Sequence, residues 1–277
     1  MTLVESLLTQ RAAGRALLAA NFYNAETLLA VLRAAQAAGG EIILQTSPGT
    51  IEYLGGVGLT TAMARAAAKQ LGVCAWLHLD HASDPALIQA CIAAGYDAVM
   101  IDASESDFST NVKRTREVVA AARLRGVAVE AELGCVPKLG QAEVTEEGLT
   151  TPAQAAEFVA ATGVDLLAVA IGTAHGFYKQ PPKLDYARLA AIRKAVSVPL
   201  VLHGGSGVEP AAWREAIRRG IVKINFATEI KDTFTRAVKQ ALASGHEIDL
   251  RKIFPPAMAA VTELVAAKIQ VCQMTGV

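Results

Sequence analysis

The chain has 277 residues, 52% of them hydrophobic and 19% charged, with 26 basic and 26 acidic side chains and a formal net charge of zero. Lys and Arg are scattered, so there is no electrostatic case for nucleic acid or an anionic membrane, and no apolar run reaches the ~18 residues of a membrane span. The opening MTLVESLLTQR carries an acid and lacks a basic n-region, so no signal peptide is expected.

In chain order, short β-rich apolar runs fall at 16–20, 41–45, 73–79, 98–101, 127–132, 166–171, 199–202 and 222–225. Amphipathic helical patterns separate them, beginning with AETLLAVLRAAQAAG from residue 25 and continuing at 60–71, 85–94, 111–125, 151–161 and 186–195. Gly72, Gly95, Gly126, Gly163 and Gly220 end several of these just before the next strand, as a helix C-cap does at an αβ joint. The alternation predicts an α/β fold, one (β/α)8 TIM barrel, with 1–277 as a single domain. A doubly wound sheet is the rival, and the absence of GxGxxG after the first strand counts against it. From residue 228 the chain reads as additional C-terminal helices with a loop, SGHEIDLRKIFPP, between them. Cys74, Cys91, Cys135 and Cys272 show no CxxC pairing and read as reduced thiols of a cytoplasmic protein, with Cys74 and Cys91 in the core.

A barrel carries its working residues at the C-terminal ends of its strands. Those positions here are Asn21, Ser47, Asp80, His81, Asp102, Glu132, His175, His203 and Asn225. Only five histidines occur in the chain, and His81, His175 and His203 each follow an apolar strand. One such histidine more often packs or caps a strand, but three at equivalent places favour a shared metal with an open position. Asp80, next to His81, suits either proton transfer beside a metal-bound substrate or holding an imidazole tautomer. His78, inside its strand, reads as a core histidine. Asp102 and Glu132 suit a second cation, an alternative position of the first, or pairing with Arg or Lys.

The glycines suggest a phosphate. HGFYK (175–179), HGGSG (203–207) and NFAT (225–228) offer backbone N–H groups, a lysine and hydroxyls on neighbouring strand ends. Barrels often bind phosphate there, at a helix start. Tight turns that need positive φ explain some of these glycines without any ligand.

HLDH, MIDAS, VEAELG, GTAHG, VLHGGSG and NFATE, in this order and spacing, closely resemble the class II fructose-bisphosphate aldolases, a group that includes tagatose-bisphosphate aldolases. The resemblance covers nearly the whole chain. It implies Zn2+ on His81, His175 and His203, Asp80 as proton donor and acceptor, and Asp102 and Glu132 as auxiliary metal positions. It implies Gly176, Lys179, Gly204, Ser206, Asn225 and Thr228 at the dihydroxyacetone-phosphate end, with Asn21 and Ser47 on the substrate side. Arg251 in DLRKIF resembles the arginine that reaches a neighbouring subunit's site, which implies a homodimer or homotetramer. A monovalent cation (Na+ or K+) beside the phosphate loops is also implied. The partner is then a small sugar phosphate, cleaved by retro-aldol chemistry to dihydroxyacetone phosphate and an aldehyde. A Schiff-base lysine is the competing chemistry; Lys223 is its only clear candidate, and it leaves three rim histidines unexplained.

Three departures bear on the substrate. The family's Gly-Gly-x-Glu loop is replaced by CVPKLGQAEVTEEG, where Glu143, Glu146 or Glu147 takes the glutamate's place. Glu105 stands where relatives often have histidine. HGGSG follows the fructose-bisphosphate form rather than the tagatose-type one, whereas the altered loop equally suggests a different sugar, such as a deoxy-keto-gluconate phosphate; a tagatose-bisphosphate aldolase is the other alternative. A metal-dependent isomerase or hydrolase, and a non-catalytic relative, are the other classes open to this sequence.

Overall fold

Alternating apolar residues with glycine-capped helices between them close into a barrel in the computed structural model, which describes residues 1–137, 145–178, 180–243 and 245–274. Its strands are β1 (Leu17–Asn21), β2 (Ile42–Thr46), β3 (Ala75–Ala82), β4 (Ala98–Ile101), β5 (Ala128–Leu133), β6 (Leu166–Val169), β7 (Leu200–Leu202) and β8 (Ile221–Phe226). All pair in parallel and in sequence order, and β8 returns to β1. The helices are α1 (Leu3–Ala12), α2 (Ala25–Ala38), α3 (Pro48–Tyr53), α4 (Val57–Leu71), α5 (Pro85–Ala93), α6 (Phe108–Arg123), α7 (Pro152–Thr162), α8 (Tyr186–Ala195), α9 (Pro210–Arg218), α10 (Thr228–Ala243) and α11 (Leu250–Gln273). This is the predicted TIM barrel with additional C-terminal helices. No described helix is long and apolar enough to cross a membrane.

The strand period of two sorts each strand into an outer and an inner face. On β5, Val129, Ala131 and Leu133 join the core between barrel and helices, while Ala128 joins the core inside the barrel. Glu130 and Glu132 continue that inner face and are buried. The barrel's interior therefore has two levels. Its floor is apolar: Leu17, Ala19, Ile43, Ala98, Ala128, Leu166 and Val201, closed from below by Leu3 and Leu7 of α1. Its upper level is polar, with Asn21, Gln45, His78, Glu130 and Lys223 all buried. Helix α1 escaped the sequence reading because it buries only Leu3, Ser6 and Leu7. Its start is fixed by a capping box in which the Thr2 hydroxyl accepts the Glu5 N–H and the Glu5 carboxylate accepts the Thr2 N–H at 2.8 Å.

Two strands break the alternation. The β3–β4 register shifts between Leu79 and Ala82, and the β7–β8 register shifts so that Leu200 pairs Ile221 while Val201 pairs Lys223. A bulge turns two consecutive side chains to the same face. On β3 these are Asp80 and His81; on β8 they are Val222, in the inner apolar core, and Lys223 above it.

Several sequence expectations need correcting. The expected loop SGHEIDLRKIFPP is largely helix, because α11 starts at Leu250 and runs through Pro255 and Pro256. Those prolines forgo two helical hydrogen bonds, which the burial of Ile253, Ala257, Val261, Val265, Ile269 and Cys272 along one face offsets. Cys91 is in the core as expected, but Cys74 is exposed, since β3 begins only at Ala75. His175 does not end a strand: β6 stops at Val169, and His175 sits on the following loop, where its N–H donates to the Pro137 carbonyl at 2.8 Å.

Candidate active site

The three rim histidines meet. Ring centroids lie 4.6 Å apart for His81 and His203, 4.8 Å for His81 and His175, and 5.9 Å for His175 and His203. One ligand atom from each, with one from Glu132, fall within 4.8 Å of one another. His81 reaches this point through backbone strain. Its φ is +47°, the one positive value among described non-glycine residues, and such a conformation costs roughly 1–3 kcal/mol.

Two of the three rings, His81 and His203, have one nitrogen held and one left over. His81 Nδ1 lies 2.6 Å from Asp102 Oδ2, and His203 Nε2 lies 2.8 Å from Glu130 Oε1. The nitrogens left over, His81 Nε2, His175 Nε2 and His203 Nδ1, are buried without a hydrogen-bond partner, as is Glu132 Oε2. His203 Nδ1 and Glu132 Oε2 are only 3.0 Å apart, yet are not aligned as donor and acceptor. Stranding a buried polar atom costs about 1–3 kcal/mol. Four such atoms converging on one point are explained by a bound cation, and imidazole nitrogens with a carboxylate oxygen suit zinc or a similar divalent ion. Asp102 faces outward from this point as the acceptor that orients His81, with its other oxygen accepting from the Ser104 hydroxyl at 2.7 Å.

The electrostatics follow from burial and neighbours. Burial alone would lower the His203 pKa, but Glu130 and Glu132 raise it to about 10. His175 has no such partner: burial, with His81 and His203 nearby, takes it down to about 3. His81 is raised, since Asp80 and Asp102 outweigh its burial. His78, fully buried, falls to about 3 through burial and Lys223, against the pull of Glu130; it is a core residue as expected.

Asp80 sits beside the cluster, its Oδ1 4.0 Å from His81 Nε2. The Asn21 amide donates to Oδ2 at 3.0 Å and the Asn225 amide donates to Oδ1 at 3.1 Å. Burial would raise its pKa, but His81, His203, Lys223 and Asn21 bring it down to about 2. The orientation of the Asn225 amide is settled one step further back, because its Oδ1 accepts from Lys223 at 2.7 Å, while Asn21 Oδ1 accepts from the Gln45 amide at 3.4 Å. The sequence does not point to Gln45 or Glu130 as site residues, and it offers Lys223 only as the Schiff-base candidate. The i, i+2 spacing of Glu130 with Glu132 and of Lys223 with Asn225 was the available signal.

The glycine loops close over the next sector. Asn21, Asp80, His175, Gly176, Gly204, Ser206, Asn225 and Thr228 line one small cavity. Gly204 has φ +67°, and a Cβ there would lie 2.4 Å from the Ala174 carbonyl oxygen, so only glycine lets the two loops approach. Tyr178 clasps them: its hydroxyl accepts the Ala174 N–H at 2.7 Å and lies 2.9 Å from the Gly204 carbonyl oxygen. Ser206 Oγ accepts the N–H groups of Ala227, Thr228 and Glu229 at 3.1–3.4 Å, at the start of α10. N–H groups at a helix start suit an anion such as phosphate; in this structure Ser206 Oγ accepts them. Lys179 lies outside the described residues.

Ser47 caps α3, accepting the Thr50 N–H at 3.4 Å. It lines a separate cavity of about 420 Å³ with Tyr23, Thr50 and Lys231. Lys231 Nζ stands 5.5 Å from the Tyr23 ring centroid. Arg251 is brought to no site among the described residues. It lies in the first turn of α11, its side chain 90% exposed and paired with Asp249 at 3.0 Å. Glu143 lies outside the described residues; Glu147 is exposed, and Glu146 is exposed and ion-paired with Arg188.

A parallel eight-stranded barrel with a metal-competent cluster and glycine-rich loops at its C-terminal rim has the architecture of a barrel enzyme whose site lies at that rim. The comparisons narrow this. The family model "Fructose-bisphosphate aldolase class-II" matches residues 1–277, and the chain belongs to that family. It is similar to the YdjI aldolase from Escherichia coli K12, with 32% identity, a TM-score of 0.85, and coverage of 98% of this chain and 96% of that one. A Coccidioides immitis protein provisionally assigned as a fructose-1,6-bisphosphate aldolase is 30% identical, with a TM-score of 0.87 and coverage of 98% and 95%. The fold is also shared with the fructose-bisphosphate aldolase of Campylobacter jejuni, at 23% identity, a TM-score of 0.84, and coverage of 97% and 93%.

Proposed function

We propose that the protein is a zinc-dependent ketose-bisphosphate aldolase that reversibly cleaves fructose 1,6-bisphosphate to dihydroxyacetone phosphate and glyceraldehyde 3-phosphate. The observation that carries this reading is the convergence of four buried, partnerless ligand atoms next to a carboxylate that accepts two amide N–H groups. His81, His175 and His203 would hold the metal, with Glu132 as a fourth or alternative ligand. When bound, it supplies Lewis-acid polarisation of the substrate's carbonyl oxygen.

The chain's own residues supply the rest. Asp80 takes the proton of the C4 hydroxyl as the C3–C4 bond breaks, and returns it in the aldol direction. Asn21 and Asn225 keep its two oxygens aimed while leaving lone pairs free. One of Glu143, Glu146 and Glu147 handles the proton at the C3 carbon of the dihydroxyacetone-phosphate fragment. The loops of Gly176, Gly204 and Ser206, with Thr228 at the start of α10, take its phosphate, with Lys179 supplying charge. The distal end extends toward Ser47, in the cavity it shares with Lys231. Arg251, unable to serve its own site, crosses the interface of a homodimer or homotetramer to the distal phosphate of a neighbouring subunit. Four free thiols suit a reducing cytoplasm.

Screening the cleavage of fructose, tagatose and deoxy-keto-gluconate phosphates with detection of dihydroxyacetone phosphate tests the substrate directly. Preference for fructose 1,6-bisphosphate is expected; preference for another ketose corrects the sugar, and inactivity on all of them overturns the reading.

A further inference from the structure

Among the described residues Lys223 is the one fully buried lysine or arginine, and the chemistry above does not use it. It is not aimed outward as a nucleophile. Its Nζ lies 2.9 Å from Glu130 Oε2 and donates to Asn225 Oδ1 at 2.7 Å. We propose that Lys223 is a positioning residue for the proton-transferring carboxylate: it fixes the Asn225 amide so that only its N–H side faces Asp80. The inference rests on the aldolase reading for the role of Asp80.

The physical reason is the donor inventory. An asparagine amide presents an acceptor on one side and donors on the other, and either side fits the same space. An ammonium has donors only, so Lys223 can be met only by Oδ1. The Nδ2 group is then left for Asp80 Oδ1, at 3.1 Å. A flipped amide would set a carbonyl oxygen against a carboxylate and a donor against a donor. Glu130 anchors the other side of Lys223, and the same carboxylate accepts from His203 Nε2 at 2.8 Å. The β8 bulge makes the arrangement possible. Without the register shift between Leu200 and Val201, Val222 and Lys223 would face opposite sides, and Lys223 would point into the layer between barrel and helices. A buried ion pair is a costly way to fill a core, so a bulge that brings one inward calls for a use.

The competing explanation is that Lys223 only neutralises Glu130. The double variant Lys223→Met with Glu130→Gln separates the two. It removes both charges with little change in volume, and Gln retains an acceptor for His203. If Lys223 positions Asn225, the double variant keeps wild-type zinc stoichiometry and, with cobalt in place of zinc, the wild-type visible absorption spectrum. Its kcat falls roughly 10- to 100-fold, the usual effect of losing an outer partner, with KM unchanged. Recovery of wild-type kcat overturns the proposal, and so does loss of metal, since the effect would then run through the ligands. Asn225→Asp tests the same point with Lys223 in place, because Asp still accepts from Lys223 but offers Asp80 no N–H. A comparable fall in kcat with metal retained is expected, and an unchanged kcat overturns the proposal even if the double variant does not fold. Wild type assayed alongside keeps the two levels apart. Wild type without ketose-phosphate cleavage overturns the aldolase reading and this inference with it; a variant matching an active wild type overturns this inference alone.

Discussion

Asp80→Asn replaces one carboxylate oxygen with an NH2 group in a place that has no room for a donor. Both carboxylate oxygens already accept an amide N–H, from Asn21 at 3.0 Å and from Asn225 at 3.1 Å. Asn225 cannot turn over to accept, because Lys223, which has donors only, engages its Oδ1, and Asn21 can accept only if Gln45 turns with it and brings its buried, partnerless Oε1 to the Asn21 amide. Unless that pair turns, one N–H must face another N–H. A buried donor without an acceptor costs about 1–3 kcal/mol, and each kcal/mol lowers Tm by about 2–4 °C in a chain near this size. Asp80→Ala removes both acceptors and leaves a space that water can enter. Both should lose cleavage by roughly 10²–10⁴-fold, the scale of one positioned acid or base. Both should keep their metal, since Asp80 is not one of the converging ligand atoms. Turnover of a ketose phosphate, thermal unfolding and metal content read the three effects. Wild-type turnover in Asp80→Asn, or loss of metal from it, would refute the reasoning.

His81→Ala, His175→Ala and His203→Ala should each lose bound metal by elemental analysis while keeping the far-UV spectrum of the barrel, whose apolar floor lies below the site; full metal content in any of them removes that residue from the ligand set. In the metal-free protein the His203 pKa is raised to about 10, so its contribution to stability is full below the unfolded value of about 6.5 and fades as pH rises through about 10. A metal must displace that same proton, so calorimetric metal titrations should show affinity rising about tenfold per pH unit across this window; a pH-independent affinity would contradict the assignment. Arg251→Ala should raise KM for a bisphosphate about 10- to 100-fold, the scale of a charge-assisted contact, and leave dihydroxyacetone-phosphate binding almost unchanged. A monomeric, fully active enzyme would contradict the crossing arginine.

Elements with a strong internal pattern were legible. Residues 98–101 and 186–195 were read as strand and helix, and β4 and α8 occupy those residues. Gly72, Gly95, Gly126, Gly163 and Gly220 all take the positive φ expected of a helix end. Short or weakly buried elements were not legible: α3 has six residues, and α9 buries only Trp213, Ala216 and Ile217. At the site, position along the chain pointed to the rim histidines and to Asp80, because apolar strand followed by polar residue is a local pattern. What lies one step beneath them was missed for a different reason. Glu130 and Lys223 meet at 2.9 Å although 93 positions apart, and only closure of the barrel with the β8 bulge sets one against the other. The strained His81 backbone was likewise invisible, since positive φ in a non-glycine residue leaves no compositional mark.

The central claim is that the converging atoms of His81, His175, His203 and Glu132 hold a metal that aldol cleavage requires. The most direct measurement is cleavage of fructose 1,6-bisphosphate, followed by release of dihydroxyacetone phosphate, before chelation, after exhaustive chelation, and after adding zinc back. Chelation should abolish activity and zinc should restore it. Exhaustively metal-free protein that retains full activity would contradict it.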